Sequence, residues 1–382
     1  MSCKEIFKII NELYPEYVRV WEDVCNIESP TNYKEGVDKV CKYFTDMAVK
    51  RGWNVEISKQ EISGNAVCIT MNGEVNEAPI CFSGHIDTVH LVGLFPIPTV
   101  KKDERYIYGP GVLDCKGGCV SAFLAMDALS QDGYKKRPIK LILQSDEETG
   151  SKTSGKKTVE FMCEKAKDAV AFFNTEPHKT GKATLQRKGI LRFRINITGK
   201  AAHSSTCYEG ANAVAEAAYK IIELEKMIKM DGITCNCGVI EGGTVANTVA
   251  EKCSFLVDIR FSSEKEKEKT IKKLNKIVGK SRIKGYICEL EQVSYRPAME
   301  YSPKNYLLLE RINKIYKQND LPILEPEFEN GGSDAAYITQ CGIPCIDGIG
   351  TKGGEMHSLN EYSELNSLII SAQYLATAAL YL

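Results

Sequence analysis

The feature that most constrains the fold is a rhythm. Between residues 54 and 173, short apolar runs alternate with stretches of helical pattern. The runs at 66–71, 79–82, 139–144 and 169–173 have the length of buried strands, and helical patterns fall at 117–129 and 156–164. Strands separated by helices cross over in the parallel sense, so this part of the chain is expected to build an α/β sandwich.

A second texture begins near Lys188. Leu191, Phe193, Ile195 and Ile197 are apolar while Arg192, Arg194, Asn196 and Thr198 are polar, the alternation of a strand with one exposed face. A helix is expected over 211–228, strands over 233–240 and 252–261, a charged helix over 264–278 and a strand over 286–295. The order βαββαβ is ferredoxin-like. It reads as a small domain inserted into the larger one, giving three segments: 1–187, 188–297 and 298–382. The larger domain resumes with a helix over 306–317, a strand over 344–349 and a last helix from about 365, and two N-terminal helices (5–14 and 16–27) belong with it.

Charge excludes some functions. Lys and Arg number 49 and Asp and Glu 50, so no global basic field exists to hold nucleic acid, and the charge run at 265–273 reads as a solvated helix face. No apolar stretch is long enough to span a bilayer, and no secretory signal is expected at the N-terminus. The 15 cysteines are scattered, with Cys41, Cys68, Cys81, Cys163 and Cys253 inside apolar runs, which suits buried thiols in a reducing cytoplasm better than a disulfide framework. Cys235, Cys237, Cys115 and Cys119 lack the spacing of a zinc knuckle.

The chemistry-bearing residues follow the apolar runs. His85 stands just after one, with Asp87 two residues on and able to accept its second imidazole N–H. Asp114 sits in the glycine-rich stretch 109–118, as a ligand or as a helix cap. Asp146, Glu147 and Glu148 crowd one loop, which is either a solvated acidic turn or a site whose repulsion cations relieve. Glu176 and His357 follow two further runs. Ligands of α/β proteins gather at the carboxyl ends of strands. Two histidines and three carboxylates meeting there would form a nitrogen and oxygen donor set without thiolate, as in a two-zinc site.

These segments, in this order and spacing, resemble the di-zinc metallopeptidase family of aminoacylase, acetylornithine deacetylase, succinyl-diaminopimelate desuccinylase and glutamate carboxypeptidase (carboxypeptidase G type). The likeness covers almost the whole chain. It implies a zinc-exopeptidase-like mixed sheet sandwiched by helices, with the inserted ferredoxin-like domain acting as a lid. It also implies that His85, Asp114 and Glu176 bind one zinc and that Asp114, Glu148 and His357 bind the other, with Co or Mn as substitutes. Glu147 would be the general base, and Asp87 would orient His85. At 198–205 the chain matches the family's lid histidine, His203, which in dimeric members reaches the partner's site and binds the oxyanion. Asn247 matches a substrate-binding asparagine. The chain departs from the pattern at Cys115, where the family carries Asp or Met; Cys115 is not expected to bind metal, and the Asp114–Cys115 peptide is expected to be cis.

Arg296 resembles an arginine that grips substrate carboxylate in the glutamate carboxypeptidase branch, and Lys182 a lysine that holds a glutamate side chain. The resemblance thus implies a cytoplasmic homodimer, joined through the lid, that hydrolyses a small peptide or N-acyl amino acid beside a free carboxylate. A carboxypeptidase is expected. An N-acyl amino-acid deacylase, an aminopeptidase or an inactive scaffold are the other readings.

Overall fold

The computed structural model describes residues 2–229, 232–282 and 284–382. By its contacts the chain divides into two units, 1–185 with 301–328 and 333–382, and 186–300 with 329–332.

The first unit opens with α1 (Cys3–Asn26), α2 (Lys34–Lys50), β1 (Asn54–Ser58), β2 (Ala66–Met71), β3 (Ile80–His85), α3 (Lys116–Gln131), β4 (Ile139–Gln144), α4 (Lys157–Lys165) and β5 (Ala171–Asn174). The two expected N-terminal helices are one. α1 runs through Pro15, because Ile6, Ile10, Tyr17, Trp21 and Val24 form a continuous buried stripe across it. Packing of that stripe outweighs the roughly 3 kcal/mol that an interior proline costs. α3 is buried almost all round, as its run of Gly, Ala and Ser between larger apolar residues allows, and it packs against α1.

The second unit follows as β6 (Gly189–Thr198), α5 (Ala213–Glu225), β7 (Thr234–Gly242), β8 (Lys252–Phe261), α6 (Glu264–Gly279) and β9 (Ile287–Arg296). The chain then returns to the first unit with α7 (Pro303–Gln318), α8 (Ala335–Gln340), β10 (Cys345–Ile346) and α9 (Ser367–Tyr381).

The first unit's main sheet has six strands in the order β1-β2-β4-β3-β5-β10. It is mixed. β1–β2 and β2–β4 pair antiparallel, whereas β4–β3, β3–β5 and β5–β10 are parallel. Alternation sorts its two faces. Ile139, Leu141 and Leu143 join Phe82, Phe173 and Phe123 in the main core, whereas Cys81 and Ser83 turn to the other face, where the Ser83 hydroxyl meets Met162 of α4. The parallel strands all point their carboxyl ends toward one edge. His85 and Gln144 end their strands side by side, and Ser83 pairs with Asn174. The loops leaving this edge therefore begin within a strand spacing of one another.

In the second unit the four strands take the order β7-β8-β6-β9, all antiparallel, which with its two helices is the ferredoxin-like arrangement. Leu191, Phe193, Ile195 and Ile197 face its core together with Phe255, Val257 and Ile259. Side-chain oxygens of Asn212 and Ser263 cap the starts of α5 and α6. Lys188 N–H donates to the Glu329 carbonyl at 3.1 Å, which ties the segment 329–332 to this unit although the sequence pattern places it with the larger domain.

Candidate metal centre

His85, the last residue of β3, is almost completely buried. Its Nδ1 lies 3.1 Å from the Asp87 carbonyl oxygen and 3.3 Å from Asp87 Oδ1, so its Nε2 is left to face the site. Asp87 is fully buried and does more than orient the ring. Oδ1 accepts the Glu147 N–H and Oδ2 the Glu148 N–H, both at 3.2 Å, and Oδ2 also accepts the Thr31 hydroxyl at 2.6 Å. One carboxylate thus sets the position of a histidine and of the loop that bears two glutamates.

Asp114 faces both histidines. Its Oδ1 is 2.9 Å from His85 Nε2 and its Oδ2 is 3.1 Å from His357 Nε2. Glu176 Oε1 lies 3.8 Å from the first imidazole and Glu148 Oε2 lies 3.4 Å from the second. Asp114 is positioned through its backbone. The buried carboxylate of Glu361 accepts the N–H groups of Leu113 and Asp114 at 2.9 and 3.1 Å. Gly111 turns the preceding stretch with φ of +74°. At Gly118, in the first turn of α3, a Cβ would lie 2.0 Å from the Thr175 carbonyl oxygen, so only glycine lets the helix start press against the Glu176 segment. The Asp114–Cys115 peptide is cis. His357 itself adopts a left-handed φ of +63°, an uncommon conformation for a residue with a Cβ.

The electrostatics of these residues ask for positive charge. Burial, and then the Asp114 carboxylate, push Glu148 up to about 8. Burial with Asp114 and Glu147 holds Glu176 well above the ordinary range. Burial opposes the charge on Asp114, but hydrogen bonds from His357 and His85 hold its carboxyl well below its usual value. Hydrogen bonds donated to Asp114 and Glu148 raise His357 to about 10. Burial alone would depress His85, yet Cys115, Asp114 and Asp87 beside it hold its pKa well above the normal imidazole value. Protons here stand where cations would. Imidazole nitrogens and carboxylate oxygens at this spacing fit divalent zinc, cobalt or manganese. The donor atoms of His85, Asp114 and Glu148 lie within 4.8 Å of one another, as do those of His85, Cys115 and Glu176.

Cys115 is not expected to bind metal, yet it sits against the first histidine, its Sγ accepting the His85 backbone N–H at 3.0 Å. Asp146 is separated from the two glutamates beside it. Its carboxylate turns inward to accept Ser154 N–H at 2.7 Å and the Thr158 hydroxyl at 2.5 Å, so it shapes the loop.

The sequence profile described as peptidase family M20/M25/M40 matches residues 81–381, a span that takes in every residue of this cluster. The chain belongs to peptidase family M20/M25/M40. Carboxypeptidase G2 of Pseudomonas sp. (strain RS-16) is 25% identical over 371 residues, covering 95% of this chain and 88% of that protein. A succinyl-diaminopimelate desuccinylase of Rickettsia massiliae (strain Mtu5) is 25% identical over 379 residues, covering 92% and 96%. Among solved structures, a tripeptidase from Staphylococcus aureus subsp. aureus Mu50 superposes with a TM-score of 0.78 at 20% identity, covering 96% of this chain and 98% of that one. An M20 family metallo-carboxypeptidase from Sulfolobus solfataricus gives 0.75 at 17% identity, covering 95% and 98%. The M20 chain is accordingly a hydrolytic enzyme of a metal-dependent family.

The remaining residues singled out by sequence lie elsewhere in this M20 chain. In the second unit, His203 is exposed and its Nδ1 accepts the Ser205 N–H at 3.2 Å. Asn247 is held beside it, because its carbonyl accepts the Ser204 N–H at 2.9 Å and Thr248 bridges His203. Arg296, at the end of β9, is buried with its aliphatic stem against Gly332. Lys182 is partly exposed and pairs with Glu325 at 2.6 Å. Glu361, Thr31 and Lys116 escaped the sequence reading. Lys116 is buried and donates to the Val24 and Ile27 carbonyls at 2.9 Å, capping the end of α1. An ammonium in the glycine-rich stretch 109–118 could have signalled Lys116, but nothing of that kind marks Glu361 or Thr31.

Proposed function

We propose that this chain is a two-metal exopeptidase that hydrolyses an amide bond beside a free carboxylate. The observation that carries the reading is the division of Asp114 between two imidazoles, each with its own glutamate close by. His85 and Glu176 would hold one cation, His357 and Glu148 the other, and Asp114 both. Two such cations would supply Lewis acidity to the scissile carbonyl and acidify a water at neutral pH.

The chain's own groups do the rest. Glu147 is buried next to the ligand Glu148, and its backbone is fixed by Asp87. Its carboxylate takes the proton of the attacking water and returns it to the leaving amine nitrogen as the C–N bond breaks. In His203, the N–H donated by Ser205 to Nδ1 selects the tautomer with the proton on Nε2, which leaves Nε2–H to donate to the oxyanion. Asn247, beside His203, would hold substrate, and Arg296 would take its carboxylate by a forked pair of hydrogen bonds. The pairing of Lys182 with Glu325 supports a surface role for that lysine instead.

Likeness to carboxypeptidase G2 favours a carboxypeptidase of the glutamate-releasing kind, and likeness to the desuccinylase at the same 25% identity favours an N-acyl amino-acid deacylase second. A cytoplasmic homodimer is part of the reading. Its support is the set of free cysteines, most of them buried, and the exposed edge strand β7 with Val239 and Ile240 open. No described helix is long and apolar enough to cross a membrane.

The test is Glu147→Gln. Metal content should be unchanged while kcat falls by roughly a hundredfold to ten-thousandfold. Wild-type turnover by this variant on an N-acyl glutamate would remove Glu147 as the base.

A further inference from the structure

We infer that a cavity beside Glu148 receives the acyl part of the substrate, and that this part is uncharged and apolar. The inference rests on the hydrolase reading and narrows its substrate class.

The cavity measures about 580 Å³ and lies wholly within the first unit. Thr31, Tyr33, Val89, Leu91 and Val92 form its walls, and Glu148, one of the metal-facing carboxylates, lines it too. Through Glu148 it borders the centre where the amide would be cut. Leu91 is 74% exposed, Val92 53% and Val89 40%. Single exposed apolar side chains are ordinary, but three within four residues, on the loop that follows Asp87, form a patch that calls for an apolar occupant.

The loop is held in place at both ends. Thr88 N–H donates to Ser29 at 2.9 Å and its carbonyl accepts Thr31 N–H at 3.1 Å. At the far end Gly93, with φ of +77°, donates to Glu28 at 2.7 Å. The walls are thus fixed before anything binds, which lowers the cost of binding. The Thr31 hydroxyl is already committed to Asp87.

Charge settles the chemistry of the occupant. No Lys, Arg or His stands among the residues lining the cavity, and the only ionisable side chains there are the Glu148 carboxyl and the Tyr33 phenol. A second carboxylate, as on a succinyl group, would find no Lys, Arg or His side chain on these walls to pair with. An aromatic or alkyl acyl group would instead cover Val89, Leu91 and Val92. Burying an unpaired charge is far costlier than burying a methylene is favourable.

The experiment keeps the amine half constant and varies the acyl half. N-benzoyl-, N-hexanoyl- and N-succinyl-L-glutamate are given to the zinc-loaded full chain, and kcat/KM is read for each. The benzoyl and hexanoyl compounds should exceed the succinyl compound by at least about tenfold. Leu91→Lys, a change at an exposed position, should move the succinyl-to-benzoyl ratio upward by about tenfold, and Val92→Lys should act in the same direction. Cleavage of the succinyl compound as fast as the others would overturn the inference and leave the hydrolase reading standing. So would a strong apolar preference that neither lysine variant alters. Failure to cleave any of the three, or dipeptides offered beside them, would sink the hydrolase reading and this inference with it.

Discussion

Asp87 never touches the Asp114 carboxylate, yet the arrangement above makes it the residue on which the centre's order depends most. Its carboxylate is fully buried, takes a 2.6 Å hydrogen bond from Thr31 and two at 3.2 Å from the Glu147 and Glu148 amides, and lies 3.3 Å from His85 Nδ1. In Asp87→Ala those donors lose their acceptor in a place water does not reach. A buried unsatisfied donor costs about 1–3 kcal/mol, so truncation should remove about 3–5 kcal/mol of stability, the range for breaking a buried charged network. Asp87→Asn keeps the shape and one acceptor oxygen but turns an amine toward an N–H or hydroxyl, and should lose about 1–3 kcal/mol. Partners that orient a metal-facing histidine are typically worth ten- to a hundredfold in metal affinity. Chemical unfolding of the metal-free protein reads the first quantity, and zinc titration against a competing chelator reads the second. Wild-type stability and wild-type zinc affinity in Asp87→Asn would refute the reasoning, since they would show that this carboxylate orders neither the loop nor the ring.

Other consequences follow from the same geometry. Glu361→Ala strips the acceptor from two buried amides and should cost about 2–4 kcal/mol in unfolding free energy while weakening zinc binding, whereas Glu361→Gln, which keeps an acceptor oxygen, should cost less. Gly118→Ala forces a Cβ to within 2.0 Å of the Thr175 carbonyl, so its melting temperature should fall, by an amount that corresponds to about 1–3 kcal/mol. The centre also fixes a pH dependence. Glu148 is raised from 4.5 to about 8, first by burial and then by Asp114, so the metal-free protein binds more protons folded than unfolded, and its stability should fall as pH rises through that window. His357, raised from 6.5 to about 10 by bonds to Asp114 and Glu148, adds a loss that is complete only above its folded pKa. Metal binding must expel these protons, so calorimetry in buffers of different ionisation enthalpy should show proton release, and zinc affinity should weaken as pH falls below about 8. A zinc affinity independent of pH between 6 and 8 would contradict this.

Much of this was legible from residue order. Alternation located β6 and short apolar runs located β3, β4 and β5, because both patterns follow from which faces are buried. The loops after those strands named His85, Glu147, Glu148 and Glu176 as candidates, since parallel strands must release them at one edge. Asp114 and His357 arrive from glycine-rich turns, and no periodicity says where such turns point. Their residue types and settings made them candidates, and resemblance to a family gave them their ligand roles. The supporting residues were invisible for a different reason. Glu361 and Thr31 act on backbone amides and a carboxylate far along the chain, 247 and 56 residues away, and a sequence pattern carries no trace of a contact that distant. The break expected between residues 14 and 16 is absent because the buried stripe of α1 runs past Pro15.

Removing Asp114 tests the whole arrangement at once. Its two oxygens face separate histidines, so Asp114→Ala purified beside wild type and loaded with zinc should be read by elemental mass spectrometry per mole of chain. Wild type should carry about two zinc ions, the number that two-metal hydrolysis requires, and the variant should lose both. A variant that keeps its full zinc complement, or a wild-type chain that takes up none, would contradict a shared two-cation centre.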